Sequence, residues 1–401
     1  TTATFSAITT AGMFLGALVG GIIGDKTGRR NAFILYEAIH IASMVVGAFS
    51  PNMDFLIACR FVMGVGLGAL LVTLFAGFTE YMPGRNRGTW SSRVSFIGNW
   101  SYPLCSLIAM GLTPLISAEW NWRVQLLIPA ILSLIATALA WRYFPESPRW
   151  LESRGRYQEA EKVMRSIEEG VIRQTGKPLP PVVIADDGKA PQAVPYSALL
   201  TGVLLKRVIL GSCVLIAMNV VQYTLINWLP TIFMTQGINL KDSIVLNTMS
   251  MFGAPFGIFI AMLVMDKIPR KTMGVGLLIL IAVLGYIYSL QTSMLLITLI
   301  GFFLITFVYM YVCYASAVYV PEIWPTEAKL RGSGLANAVG RISGIAAPYA
   351  VAVLLSSYGV TGVFILLGAV SIVVAIAIAT IGIETKGVSV ESLSIDAVAN
   401  K

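Results

Sequence analysis

Long apolar stretches alternate with short polar links along almost the whole chain. A helix needs about 20 mostly apolar residues to cross the hydrocarbon core of a bilayer, so the pattern predicts membrane-spanning helices throughout. One longer polar segment interrupts the series between the fifth and the sixth stretch. The eleven predicted spans are about 3–24, 31–50, 55–82, 90–116, 124–144, 207–235, 243–265, 273–290, 294–320, 333–356 and 361–382.

The spans predict an all-α membrane protein with four parts. Residues 1–144 form a first membrane bundle and 207–382 a second one, with a linker at 145–206 between them and a tail at 383–401. Within the linker, apolar residues recur at helical spacing among charged ones over 147–170, which predicts short amphipathic helices.

Composition and charge agree with a membrane protein. Hydrophobic residues make up 56% and charged residues 12% of the chain, against about 45–50% and about 25% in a soluble domain. If alternate links are cytoplasmic and Arg93, Arg142 and Arg207 at the ends of spans are counted with them, only Arg123 and Lys241 fall on the other face. The spans themselves hold Arg60 and Arg341, which leaves 24 of the 28 lysines and arginines on one face. The net charge of +8 is therefore explained by the positive-inside rule, with the C-terminus cytoplasmic and no nucleic-acid partner.

Other features limit the chemistry that we expect. The four cysteines stand singly in apolar stretches and there is one histidine, so neither a disulfide framework, a metal site nor a cofactor is predicted. The chain begins directly in an apolar stretch and has an odd number of spans. We therefore expect one further helix before residue 1.

The two halves of the chain are repeats of each other. A shift of 241 positions superposes similar residues around the first link of each half, and such duplicated bundles are typical of transporters whose substrate lies near the membrane midplane. The matched pairs include Gly12 with Gly253, Gly16 with Gly257, Asp25 with Asp266, Lys26 with Lys267, Arg29 with Arg270 and Arg30 with Lys271.

Six ordered motifs resemble the major facilitator superfamily, and within it the sugar-porter and organic-ion-transporter branches. The ending Trp228-Leu229-Pro230-Thr231 is similar to that of bacterial metabolite and aromatic-acid carriers. The motifs are Gly21-x-x-x-Asp25-Lys26-x-Gly28-Arg29-Arg30, Arg60-x-x-x-Gly64-x-Gly66-x-Gly68, Glu80-x-x-Pro83-x-x-x-Arg87-Gly88, Pro145-Glu146-Ser147-Pro148-Arg149-Trp150-Leu151, Glu322-x-x-Pro325-Thr326 and Glu384-Thr385-Lys386-Gly387.

The resemblance implies two six-helix bundles that alternate access to a central site, with charged gates at the ends of the helices. Arg29 is expected to pair with Glu80 or Glu146; the alternative is an ordinary solvated loop. Pro269 replaces the turn glycine in the second half, so we expect a looser second gate. The gate and coupling residues implied are Asp25, Arg29, Arg30, Arg60, Glu80, Arg87, Glu146, Arg149, Asp266, Arg270, Glu322 and Glu384.

Polar and aromatic residues within spans are the candidate substrate site. Arg341 lies about eight residues into its predicted span, where a cation is rare and usually functional; the resemblance implies attraction of an anionic substrate, and the alternative is a structural salt bridge. Aromatic residues also populate membrane interfaces. The predicted cavity residues are Asn99, Trp100, Tyr102, Gln222, Tyr223, Asn227, Trp228, Tyr311 and Tyr314.

These observations predict a secondary active transporter of the cell membrane and no enzyme. No paired carboxylates, Ser/His arrangement or nucleotide-binding loop supports catalysis or an ATP-driven pump. The resemblance implies proton-coupled symport of a small organic acid by a monomer, with Arg60 facing an aspartate on the absent first helix. The alternatives are a carrier of neutral sugars or polyols, a uniporter, and a receptor of transporter ancestry.

Overall fold

The structure is a computed structural model that describes residues 2–81, 87–179, 195–265, 267–324 and 328–386. Side chains are described in these ranges except at 2, 75–81, 87–92, 196 and 329–330. Regular secondary structure in the described ranges is entirely helical. The chain divides into two compact units.

The first unit, called the N-unit here, comprises Ile8–Arg87 and Trp122–Ala190. Four of its helices are long and apolar, and two shorter helices with mixed polarity occupy the predicted linker. The helices that lie wholly or mostly in it are α1 (Thr2–Thr27), α2 (Arg29–Ala48), α3 (Met53–Tyr81), α6 (Ala118–Tyr143), α7 (Pro148–Ser153) and α8 (Tyr157–Thr175).

The second unit, called the C-unit here, comprises Thr1–Ala7, Gly88–Asn121 and Pro191–Lys401. Its core includes a π-helical segment, Cys313–Tyr319. Its helices are α4 (Arg87–Asn99), α5 (Ser101–Leu112), α9 (Tyr196–Leu199), α10 (Gly202–Thr235), α11 (Leu240–Met251), α12 (Gly253–Val264), α13 (Arg270–Ser289), α14 (Met294–Val312), α15 (Val320–Glu322) and α16 (Lys329–Ile381).

Nine helical stretches in the described part of the chain are long and apolar enough to cross a membrane. Two predicted spans, 333–356 and 361–382, lie in the single continuous stretch of α16, which changes direction at Gly359 (φ 66°, ψ −161°). Another predicted span, 90–116, is divided at Trp100 into α4 and α5. The all-helical membrane architecture is confirmed, and these three spans differ from their predicted outlines.

Polar contacts explain why Gly88–Asn121 belongs to the C-unit although the sequence places it in the first half. The Thr248 hydroxyl on α11 donates to the Ser106 carbonyl oxygen on α5 at 3.2 Å. The Asn247 amide donates to the Ser106 hydroxyl at 3.3 Å. Helix α5 therefore packs on α11, an element from the other sequence repeat.

The sequence repeat reappears as a repeated helix contact. A Cβ atom added to Gly16 would lie 2.0 Å from the Val65 carbonyl oxygen, so α1 and α3 meet backbone to backbone. A Cβ atom added to Gly257 would lie 2.2 Å from the Thr306 carbonyl oxygen, between α12 and α14. Both residues of the first pair are offset by 241 positions from those of the second. Small residues permit such close packing in lipid.

Candidate functional site

Packing between α10 and α16 places Arg341. A Cβ atom on Gly340 would lie 2.9 Å from the Asn219 amide nitrogen, which shows that the two helices lie close together there. Tyr223 follows Asn219 by about one helical turn, and Arg341 follows Gly340. The Tyr223 phenol and the Arg341 guanidinium consequently interact electrostatically. Because α16 begins at Lys329, Arg341 lies deeper than predicted, 12 residues or about 18 Å from that end.

A cluster of polar aromatic residues surrounds this pair; we call it the Arg341 cluster. The Tyr102 and Tyr309 rings meet edge to face with centroids 5.2 Å apart. The Tyr309 hydroxyl is buried without a hydrogen bond in the described residues, and the Tyr102 and Gln222 side chains are its polar neighbours. The cluster consists of Tyr102 from α5, Gln222 and Tyr223 from α10, Tyr309 from α14 and Arg341 from α16.

The Arg341 cluster combines one cation with neutral hydrogen-bonding groups. Arg341 is half-buried, and no described carboxylate lies within 4.0 Å of its guanidinium. Tyrosine hydroxyls and the glutamine amide both donate and accept hydrogen bonds. This arrangement suits a small ligand that carries one negative charge or several polar groups.

Other predicted cavity residues lie elsewhere in the C-unit. The Asn99 amide donates to the Ser95 carbonyl oxygen on its own helix at 2.7 Å. Trp100 is 41% exposed and its ring meets Phe252 edge to face. Asn227 is exposed. Trp228 is buried, and its indole N–H has no hydrogen-bond partner in the described residues.

Tyr311 and Tyr314 pack inside the C-unit, and their cavity role stays a prediction. Both are fully buried. The Tyr311 hydroxyl donates to the Val214 carbonyl oxygen at 3.1 Å, and the Tyr314 ring stacks on Tyr319 with centroids 5.0 Å apart. Tyr309, two positions before Tyr311, is equally buried but lies beside Tyr102 and Gln222. It was not among the predicted cavity residues, because an apolar stretch without alternation does not show which face of a helix is turned inward.

A charge cluster lies at the junction of α1 and α2 in the N-unit. Glu146 accepts hydrogen bonds at one oxygen from the backbone N–H groups of Arg29 (2.6 Å), Arg30 (3.2 Å) and Ser147 (3.0 Å). Its carboxylate thus caps the N-terminus of α2, where the helix dipole favours a negative charge. The Arg29 guanidinium pairs with Asp25 at 2.7 Å.

Gly28 is required at this junction. Its φ of 96° lies in the left-handed region, and a Cβ atom there would lie 2.2 Å from a Glu146 carboxylate oxygen. Glycine therefore permits both the turn and the approach of the cap. The Trp150 indole and the Arg154 guanidinium donate to the Asp25 carbonyl oxygen at 2.8 Å and 2.7 Å, which ties α7 to the same junction.

The C-unit has an equivalent cluster at the start of α13. Glu384 accepts hydrogen bonds from the backbone N–H groups of Arg270 (2.8 Å), Lys271 (3.1 Å) and Lys386 (3.1 Å). Burial opposes its charge, but these hydrogen bonds outweigh burial and hold the pKa of Glu384 below its ordinary value. The Arg270 guanidinium pairs with Glu322 through two nitrogens at 3.1 Å and 3.2 Å.

Pro269 does not prevent the second cluster from forming. Pro269 precedes α13 with a φ of −56°, an ordinary value for proline, and the helix still presents its backbone N–H groups to Glu384. The Arg270 side chain is 6% exposed, against 16% for Arg29. The N-terminal cap therefore does not require a left-handed residue at this position, and the looser second gate stays a prediction.

The remaining predicted gate residues are only partly described. Arg149 is exposed and lines a surface pocket of about 370 Å³ beside Asp25 and Arg29. Arg60 is half-buried on α3. The side chains of Glu80 and Arg87, and the whole of Asp266, lie outside the described residues.

Apolar helical spans, a repeated helix contact and a repeated charge cluster at helix ends together define a membrane transporter of the duplicated-bundle type. The chain belongs to the sugar (and other) transporter family, whose profile matches residues 1–397. This match confirms the resemblance to the major facilitator superfamily and places the chain in a family of transporters rather than enzymes.

Three individual proteins are similar to the chain over most of its length. The chain is 44% identical over 394 residues to the inner membrane metabolite transport protein YdjE of Escherichia coli, covering 98% of this chain and 86% of that protein. It is 26% identical over 385 residues to the niacin transporter NiaP of Acinetobacter baylyi, covering 96% and 85%. A partially occluded inward-open structure of the xylose transporter XylE from E. coli has the same fold, with a TM-score of 0.76, 18% identity and coverage of 96% of this chain and 88% of that one.

Proposed function

We propose that this chain is a secondary active transporter that carries a small organic anion, an aromatic or sugar acid, across the inner membrane in symport with protons. The Arg341 cluster is the observation that supports the anionic substrate. A cation in a membrane span is costly unless it pairs or faces water, and no carboxylate pairs with Arg341 among the described residues. A substrate carboxylate would neutralise this charge.

The cluster offers complementary groups for such a substrate. A guanidinium binds a carboxylate through two parallel hydrogen bonds. Tyr102, Tyr223 and Gln222 add neutral donors and acceptors next to it, and the tyrosine rings supply apolar faces for an aromatic body. Two relatives are named for metabolite and niacin transport, which is consistent with a small metabolite.

Coupling to protons is the second part of the proposal. Arg60 occupies the motif position at which the resemblance implies a partner carboxylate on a preceding helix. Its half-buried position on α3 is compatible with such a partner. A neighbouring cation favours the charged form of a carboxylate, whereas burial away from that cation favours the neutral form. A carboxylate whose distance from Arg60 changes as the site opens and closes would therefore take up and release a proton.

The test is uptake into proteoliposomes that contain the purified chain. We expect labelled aromatic carboxylates, with niacin in the panel, or sugar acids to accumulate when the lumen is alkaline, and their neutral amides or parent sugars to accumulate less. Arg341→Ala should weaken binding of the acid roughly 10- to 150-fold, because a charge-assisted hydrogen bond contributes about 1.5–3 kcal/mol. Arg341→Lys should retain part of the binding without the planar geometry.

Lys241→Ala is the matched control, since it also removes a cation from the C-unit but from an exposed position at the start of α11. It should transport like the wild type. Equal losses for acids and neutral analogues in Arg341→Ala would make Arg341 structural. Accumulation that does not depend on the pH gradient would contradict proton symport and favour a uniporter or an antiporter.

A neutral sugar or polyol is the second candidate substrate. Three phenols and one amide in the Arg341 cluster resemble a site for hydroxyl groups as much as one for a carboxylate. Preferential uptake of neutral sugars by the wild type, little changed in Arg341→Ala, would favour this candidate. No uptake of any substrate, with a folded protein, would favour a receptor of transporter ancestry.

A further inference from the structure

A basic pocket of about 790 Å³ lies in the N-unit, where α2 begins and α6 ends. Helices α7 and α8 form its other side. Four cationic side chains line it, and two carboxylates are among its other lining residues, Glu146 and Glu159. The cationic lining residues are Arg30, Arg142, Arg156 and Lys162.

Both carboxylates are already engaged. Glu146 caps α2 through the backbone N–H groups described above. Both oxygens of Glu159 accept hydrogen bonds from the Arg156 guanidinium, at 2.7 Å and 2.6 Å. Glu159 also interacts electrostatically with Lys162, but neither acid lies within 4.0 Å of the cationic groups of Arg30, Arg142 or Lys162.

The remaining cations lack carboxylate partners. No described carboxylate lies within 4.0 Å of Arg142, Lys162 or Arg30. Arg30 donates one guanidinium N–H to the Trp141 carbonyl oxygen, and its Nε–H is buried without an acceptor in the described residues. A buried donor without an acceptor is costly, and an anion in the pocket would supply one.

The pocket lies at the end of a membrane span and is bordered by exposed aromatic rings. Trp141 is 62% and Tyr143 72% exposed, and both belong to the last turn of the apolar helix α6. The Arg30 guanidinium lies over the Trp141 ring and the Arg142 guanidinium over the Tyr143 ring, at 5.9 Å and 5.7 Å from the centroids. Exposed Trp and Tyr at the end of a span are typical of the boundary between hydrocarbon and water.

We propose that this pocket binds the phosphate group of an anionic phospholipid in the adjacent leaflet. The unneutralised cations contact the phosphate, and the acyl chains lie along the exposed apolar surface of α6, to which Leu139, 54% exposed, contributes. Basic pockets at the ends of membrane helices bind lipid headgroups in this way. A free phosphate compound would use the same cations but not the apolar surface of α6.

The bound lipid would join three elements that the sequence separates. Arg142 lies in the last turn of α6, Arg30 in the first turn of α2 and Lys162 on α8. A phosphate held by all three would hold the amphipathic helix α8 against the membrane helices beside the charge cluster of Glu146. The proposal is independent of the substrate, so it can be tested without knowing what the chain transports.

The test is native mass spectrometry of the purified full chain in detergent, titrated with dioleoyl phosphatidylglycerol or with dioleoyl phosphatidylcholine. We expect the first molecule of phosphatidylglycerol to bind the wild type more tightly than phosphatidylcholine. A lysine or arginine near an anionic lipid surface contributes about 1 kcal/mol, which is about fivefold in affinity. The double variant Arg142→Gln with Lys162→Gln should therefore bind phosphatidylglycerol roughly 25-fold more weakly and phosphatidylcholine unchanged.

Arg173→Gln with Lys177→Gln is the matched control, because it removes the same two charges near the end of α8 but outside the pocket. It should bind phosphatidylglycerol like the wild type, and Arg142→Lys with Lys162→Arg should retain tight binding. Equal losses in the pocket variant and the control would overturn the proposal, since they indicate unspecific charge attraction. So would equal affinities of the wild type for the two lipids, a measurement that does not depend on the folding of any variant.

A competition experiment separates lipid from a free phosphate compound. Glycerol 1-phosphate and inorganic phosphate are added at millimolar concentration to the wild type with bound phosphatidylglycerol. Little displacement is expected, because neither compound has acyl chains. Displacement of phosphatidylglycerol by either soluble compound at millimolar concentration would show that acyl chains add nothing to binding. The pocket would then be a site for a soluble phosphate, and the lipid proposal would be refuted.

Discussion

Replacing Gly257 with alanine tests the close approach of α12 and α14. The added Cβ atom would lie 2.2 Å from the Thr306 carbonyl oxygen, whereas real Cβ contacts below 3.0 Å are essentially never seen. The helices must therefore separate by about 0.8 Å, the difference between these two distances. Overpacking of this kind typically costs 1–3 kcal/mol.

Gly276→Ala is the matched control because it makes the same chemical change on another helix of the C-unit. Nothing lies within 4 Å of a Cβ atom at Gly276, and alanine is favoured over glycine in a helix by about 0.5–1 kcal/mol. This gain is common to both variants and cancels, so they should differ by the overpacking cost of about 1–3 kcal/mol in stability, with Gly257→Ala the less stable one.

Thermal unfolding of the detergent-purified protein measures this difference. A change of 1 kcal/mol shifts the melting temperature by about 2–4 °C in domains of 150–250 residues, so Gly257→Ala should melt several degrees below Gly276→Ala. Gly16→Ala, at the repeated position in the N-unit, should show a similar loss. Equal melting temperatures for Gly257→Ala and Gly276→Ala would refute the backbone contact between α12 and α14.

Two further predictions concern the charge clusters. Because the pKa of Glu384 lies below the value of about 4.3 in an unfolded chain, its charged form stabilises the fold fully above that pH, and the contribution is lost as the pH falls through the native pKa. Glu384→Gln should therefore lower the melting temperature at pH 7 and flatten its decline below about pH 5, while Glu169→Gln, exposed on α8, should leave both unchanged. Asp25→Asn should bias the carrier toward the inward-open state and slow turnover, but by no more than about fivefold, because an exposed ion pair contributes about 0.2–1 kcal/mol. Unchanged accessibility of cysteines introduced beside the Asp25–Arg29 pair would contradict a gate role.

The repeat was the most informative feature of the sequence. An offset of 241 positions, read from a few glycines and charges, reproduces the contacts of Gly16 with Val65 and of Gly257 with Thr306. Close helix packing in lipid depends on small residues at fixed positions, and such positions remain visible in a sequence. The role of Glu146 and Glu384 as helix caps was not visible, because each meets backbone groups more than 100 residues away.

The Arg341 cluster could be predicted only in part. Tyr102, Gln222, Tyr223 and Arg341 stood out as polar or aromatic residues within apolar spans. On α14 the choice between Tyr309 and Tyr311 depends on helix rotation. Both faces of that helix are apolar, so rotation is set by packing on neighbouring helices rather than by any local pattern.

The two charge clusters differ in how far their ion pairs are exposed to water. In the N-unit, Asp25 is 70% exposed where it pairs with Arg29, so water and salt weaken that pair. In the C-unit, the Arg270 side chain is 6% exposed and Glu322 35%, and Thr385 donates a further hydrogen bond to Glu322 at 2.6 Å. Removing one partner from a buried pair leaves an uncompensated charge. Water and salt therefore weaken the Arg270–Glu322 pair less than the Asp25–Arg29 pair.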